Sequence, residues 1–129
     1  MVAYVVPIQR HTLENKYFRQ VLFTGKHVQL VVMCLGPGEE IGDEVHQDVD
    51  QCFRIEQGEG RFVFNEKEER AVGVGDAVVV PAGTWHNVIN TSNTAQLKLS
   101  TLYTPPHHPD GTVHKTRADA EAAEALAHV

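Results

Sequence analysis

Apolar residues in this chain come in short runs that tend to alternate with polar ones, and glycine, proline or a polar turn breaks each run after a few residues. That period of two is the signature of half-buried strands, and the close spacing of the breaks predicts a β-sandwich or barrel. Tyr17–Thr24 reads as a strand, Gly25 as a turn and His27–Leu35 as the returning strand of a hairpin. In the returning strand Leu30 to Leu35 are all apolar, so both faces need cover. A single barrel wall covers one face, which leads to the expectation of a homodimer. Further strands are expected at Gln51–Glu56, Arg61–Phe64, Ala71–Val74, Ala77–Val80, from His86 through Val88 and Asn90, and at Gln96–Tyr103. Gln51, Phe53 and Ile55 share one face; His86, Val88 and Asn90 share another. Phe53, Ile55, Leu97, Leu99 and Trp85 are expected to be barrel packing.

Both ends break this pattern. Residues 1–16 combine a short apolar run, Ala3–Val6, with Pro7 and a polar stretch, which suits an arm or edge strand. The barrel is expected over 17–103. Beyond it, Pro105, Pro106 and Pro109 forbid a central strand, so 104–115 should be an extended arm. Thr116 then offers a helix N-cap with Asp119 at the capping-box position, ahead of an alanine-rich helix that binds weakly. His107, His108 and His114 lie on that arm, and its proline content argues against any fixed ligand geometry.

Composition narrows the function classes. With 129 residues the chain is one domain, large enough to fold without disulfides or structural metal. Eleven Lys and Arg against seventeen Asp and Glu, a formal charge of −6, argue against a nucleic-acid groove or an anionic membrane surface. The two cysteines, Cys34 and Cys52, make no disulfide framework. No apolar stretch is long enough for a signal or a membrane span, so a cytoplasmic protein is expected.

Candidate chemistry is concentrated between Gly38 and Gly58. Glu44 and His46 are two apart and would project together from a strand, and an Asp-rich turn brings Gln51 back towards them. A fourth donor, His86, follows the sequence Pro81-Ala82-Gly83-Thr84-Trp85. Taken alone, the first stretch is equally a solvated acidic loop.

The two stretches together resemble the paired motifs of the cupin superfamily. Gly38, five residues, Glu44, one residue, His46, four residues, Gln51, six residues and Gly58 reproduce the spacing of the first motif, in which the family has histidine and glutamate where Glu44 and Gln51 stand. Gly75, Pro81, Gly83, His86 and Asn90 match the second motif in full. The resemblance covers about Tyr17 to Tyr103. It implies an all-β, cupin-type double-stranded β-helix or jelly-roll barrel, here with a C-terminal arm and short helix, and a metal in its mouth held by Glu44, His46, Gln51 and His86.

Two imidazoles, one carboxylate and one amide oxygen form a harder donor set than three imidazoles and a carboxylate. The expected cofactor is therefore a divalent transition metal, Fe(II) or Mn(II) before Ni(II) or Zn(II). Glu44, His46 and His86 make up the two-histidine, one-carboxylate set of non-haem iron oxygenases. The expected function is an oxygenase or isomerase acting on a small substrate that chelates the metal through a hydroxy-keto, enediol or sugar-like oxygen pair. Three alternatives stand beside it: a barrel that has lost its metal, a non-catalytic module binding a small sugar or anion, and a structural unit. No nucleic-acid or membrane partner is expected.

Overall fold

The computed structural model describes residues 3–127 of the chain. Helix α1 (Ile8–Glu14) precedes nine strands: β1 (Arg19–Thr24), β2 (Gln29–Leu35), β3 (Asp50–Gln57), β4 (Gly60–Phe64), β5 (Glu68–Val72), β6 (Ala77–Val80), β7 (His86–Asn90), β8 (Leu97–Thr104) and β9 (Val113–His114). Helix α2 (Arg117–Ala127) ends the described chain. One antiparallel sheet has the order β6-β3-β8-β2-β1-β9 and the other β5-β4-β7. Between β2 and β3 the chain crosses to the small sheet, where Glu40 bridges Ile89 and Glu44 bridges His86 alongside β7. The result is the expected all-β jelly-roll barrel with a short C-terminal helix.

The alternation written in the sequence decides which side chains fill it. Phe53 lies opposite Thr101 on β8, and Thr101 opposite Val31 on β2. Ile55, Leu99 and Met33 form the next row inward. The apolar residues of these rows, with Leu35, Phe62, Val88 and Leu97, are buried in one core cluster. Gln51 is aligned with Tyr103 at the end of the barrel where the interior turns polar.

The structure departs from the sequence reading in four places. Residues 8–14, expected as an arm or edge strand, form helix α1 because Pro7 sits at its N-cap position, where a missing N–H does no harm. The buried Lys98 ammonium donates to the Leu13 carbonyl at 2.6 Å, satisfying a C-terminal group of this helix. Helix α1 packs against β8, β3 and β2. Val32 and Cys34, on the second apolar face of β2, are accordingly buried within one chain. The cover that a second subunit was expected to give comes from α1.

The second departure is β5, which spans Glu68–Val72 instead of Ala71–Val74, because Asn65 and Glu66 adopt positive φ and make a tight turn. Its charged residues face solvent and disguise it. Thirdly, Trp85 is 44% exposed and is not barrel packing. Finally, α2, expected to bind weakly, is seated on the core through Ala120, behind the capping box that the sequence predicts. Thr116 and Asp119 cap it reciprocally (Asp119 N–H to Thr116 Oγ1 at 3.1 Å, Thr116 N–H to Asp119 Oδ2 at 3.3 Å).

Candidate functional site

Local turns aim the four sequence-selected residues. Glu44 and His86 are cross-strand partners joined by two backbone hydrogen bonds, Glu44 N–H to His86 O at 2.9 Å and His86 N–H to Glu44 O at 2.8 Å. Gly83, at φ +83°, donates to the His46 carbonyl at 2.9 Å, tying the turn ahead of His86 to the segment that carries His46. That segment lies outside any strand, contrary to expectation, because Glu44 meets β7 only as an isolated bridge. The Ala82 N–H donates to Asp50 Oδ1 at 2.8 Å, fixing the same turn to the start of β3 beside Gln51.

The side chains meet only partly. His46 Nε2 lies 3.4 Å from Glu44 Oε2, and the His46 and His86 rings are 5.5 Å apart between centroids. His86 Nδ1 is 3.0 Å from the Thr84 carbonyl. A carbonyl can only accept, so Nδ1 carries the proton and Nε2 keeps its lone pair. Gln51, buried in the wall, donates from Nε2 to Thr101 Oγ1 at 3.0 Å, while its Oε1 has no partner. Among the described residues, no three His, Cys, Asp or Glu side chains stand together as a metal-holding group. Glu44 is turned onto His46, so the four donors share one mouth without being assembled.

The electrostatics follow from burial. Desolvation pushes the Glu44 carboxyl up to about 7, against the pull of Arg19. Desolvation, joined by the fields of His107, His86 and Arg19, holds His46 down to about 4, so it is neutral at pH 7. Burial also lowers His86, opposed by its bond to the Thr84 carbonyl. The donor chemistry therefore fits a divalent cation: two neutral imidazoles, a carboxyl whose ionisation such a cation would favour, and an orphaned buried amide oxygen.

Sequence reasoning missed the remaining walls. The His107 ring sits 4.2 Å from that of His46, and His108 Nε2 is 3.2 Å from the Tyr103 hydroxyl. The arm that carries them is fixed, contrary to expectation. Buried Gln29 accepts from the N–H groups of His107 (3.1 Å) and His108 (2.9 Å), and its Nε2 donates to the His108 carbonyl (2.8 Å) and to Thr24 Oγ1 (2.9 Å). Tyr103 is buried and contacts His46, His107 and His108. Burial pushes its phenol up to about 12, so it remains a neutral donor. Arg19, on β1, is 2% exposed and faces inward. A charged residue at the same strand parity as Val21 was the available signal.

Comparison with known sequences assigns the fold to a family. The sequence model described as Cupin domain matches residues 31–105. The chain belongs to the cupin family. This cupin is 55% identical over 126 residues to the uncharacterized protein YrkC of Bacillus subtilis (strain 168), covering 94% of this chain and 67% of that protein. It is 45% identical over 117 residues to an uncharacterized protein of Acanthamoeba polyphaga mimivirus, covering 89% of this chain and 73% of that one. A crystal structure from Bacillus halodurans superposes with a TM-score of 0.89 at 44% identity, covering 92% of this chain and 93% of that chain. The matched span contains Glu44, His46, Gln51 and His86 but leaves out Arg19 and the arm histidines.

Proposed function

We propose that this cupin is a metal-dependent enzyme, an oxygenase or isomerase, acting on a small oxygen-rich substrate, with Glu44, His46, His86 and Gln51 holding Fe(II) or Mn(II). The observation that carries the proposal is the buried, unpartnered Oε1 of Gln51 in the same barrel mouth as two neutral imidazoles and a carboxyl. Leaving a buried acceptor unpaired costs about 1–3 kcal/mol, and a cation would recover that loss. When bound, the metal would supply Lewis acidity and a template for a chelating oxygen pair. The chain's own groups do the rest. The Thr84 carbonyl keeps the His86 tautomer fixed, the neutral Tyr103 hydroxyl stands in the inner wall beside His108, and the His107 ring, tilted against that of His46, narrows the entrance to water.

A second reading, a non-catalytic binding module, draws support from the dispersed placement of the donors. Metal analysis of protein purified without oxygen tests the first reading. It predicts about one Fe or Mn per chain, lost in His86→Ala, whereas stoichiometric metal surviving in that variant would sink the ligand assignment. Ligand binding by metal-free protein, with no change in ligand mass on aerobic incubation with metal, would favour the second.

The proposal extends to a homodimer and a cytoplasmic location. The free Cys34 and Cys52 agree with a reducing compartment. No helix among the described residues is long and apolar enough to cross a membrane.

A further inference from the structure

Arg19 is the feature that the metal reading leaves unexplained. The residue is only 2% exposed, yet none of the five ion pairs among the described residues includes it. Its Nε has no partner, Nη1 lies 3.3 Å from His114 Nδ1, and the charge rests 5.4 Å from the centre of the Phe18 ring. Guanidinium only donates, so His114 Nδ1 must accept and the imidazole must be neutral. Among the described residues Arg19 feels the Glu44 carboxyl only at a distance and makes no ion-pair contact, and burying an always-charged group this way makes sense where an anion arrives with a ligand.

The surroundings give that ligand a size and a charge. Arg19, His107, His108, His114 and, from α2, Ala123 and Glu124 line a cavity of about 550 Å³. His114 is neutral because its Nδ1 accepts from Arg19, and burial first, then the Arg19 field, holds His108 below its ordinary range, so these rings offer N–H groups without adding charge. Glu124 is exposed at the outer edge, where solvent screens it. One buried positive charge with neutral donors suits a monoanion with planar oxygens, which guanidinium binds in a fork. A phosphate dianion would lack its second cation. His107 lines this cavity, and its ring lies 4.2 Å from that of His46, which places the cavity beside the four donors.

We propose that Arg19 is the carboxylate-binding residue of the substrate pocket, and that the substrate is a small hydroxy- or keto-carboxylate whose remaining oxygens point to Glu44, His46, His86 and Gln51. The substrate class rests on the metal reading above, but the anion site can be tested apart from it. Calorimetric titration of pyruvate and of its uncharged amide, pyruvamide, into metal-free and Mn(II)-loaded protein reads both. The acid should bind roughly tenfold or more tightly than the amide, a contrast that needs no variant. In Arg19→Met the preference should vanish while manganese content is unchanged, and Arg19→Lys should restore part of it. Acid preference that depends on Arg19 in protein that takes up no metal supports the anion site and rejects the metal reading. Equal binding of acid and amide, no binding of either at millimolar concentration, tighter binding of inorganic phosphate, or a preference that survives Arg19→Met overturns the proposal.

Discussion

Asn90 illustrates how a residue's position can be legible when its task is not. The motif spacing selects it with His86, but its buried side chain serves the other end of β7. Its Nδ2 reaches the carbonyls of Leu35 (3.1 Å), Gly36 (2.9 Å) and Ala95 (2.9 Å), and its Oδ1 accepts from the Ser92 N–H (3.0 Å). It stitches the end of β2 to the turn before β8. Asn90→Ala should therefore lower stability by roughly 2–4 kcal/mol, because several backbone groups lose their partner at once. Urea unfolding checks this, and a loss below about 0.5 kcal/mol would contradict it. His108 gives a pH prediction. Burial holds it down to about 2 in the folded chain, against 6.5 as its ordinary value. Below pH 6.5 the unfolded chain takes up a proton that folded His108 refuses, so stability falls on acidification, by up to about 1.4 kcal/mol per pH unit from this group. Above pH 6.5 both forms are neutral and the slope vanishes. His108→Gln should flatten the decline between pH 6.5 and 5 in metal-free protein, and an unchanged slope would count against the burial of this ring. That Glu44, His46, Gln51 and His86 would stand around one barrel mouth was legible because their spacing is set by turns. Arg19 and His108 were not, since the contacts that define them span the fold: Arg19 meets His114, and His108 meets Gln29.

At the scale of elements, strands with apolar alternation could be read directly, and the misreadings came where another force took over. Positive φ at Asn65 and Glu66 moved β5 onto charged residues, and a helix formed after Pro7 where the prolyl and polar residues suggested an arm. The C-terminal arm is the clearest case. Three prolines say correctly that it cannot be a strand throughout, but they cannot reveal that Gln29, on a distant strand, holds it in place. Gln29→Leu keeps the volume and removes four hydrogen bonds, so it should cost about 2–3 kcal/mol. Hydrogen exchange of the His107 and His108 amides should accelerate well beyond that of the β8 amides. Equal acceleration across both would mean that Gln29 supports the core and not the arm. Helix α2 depends on its cap, and Thr116→Ala should cost roughly 1 kcal/mol of local stability, visible as faster exchange in residues 117–121 alone.

For the whole molecule, the expected reason for a dimer is weakened, because Val32 and Cys34 on the second face of β2 are buried under α1. The rest of that face continues as an apolar surface. Leu30, Leu102, Cys52 and Val79 lie in one cross-strand row over β2, β8, β3 and β6, with Leu102 40% and Val79 68% exposed. If two copies pair across this row, light scattering at micromolar concentration gives twice the 14.3 kDa of one chain, and Leu102→Glu reduces it to one. A wild-type mass near 14.3 kDa contradicts the dimer. The metal claim carries more of the account, and anomalous scattering at the Mn, Fe and Zn edges from crystals grown without added metal tests it most directly. The predicted result is a peak at the Fe or Mn edge within bonding distance of Glu44, His46, His86 and Gln51 Oε1. No peak in the barrel mouth, or a metal there that Gln51 and His86 do not ligate, would contradict it.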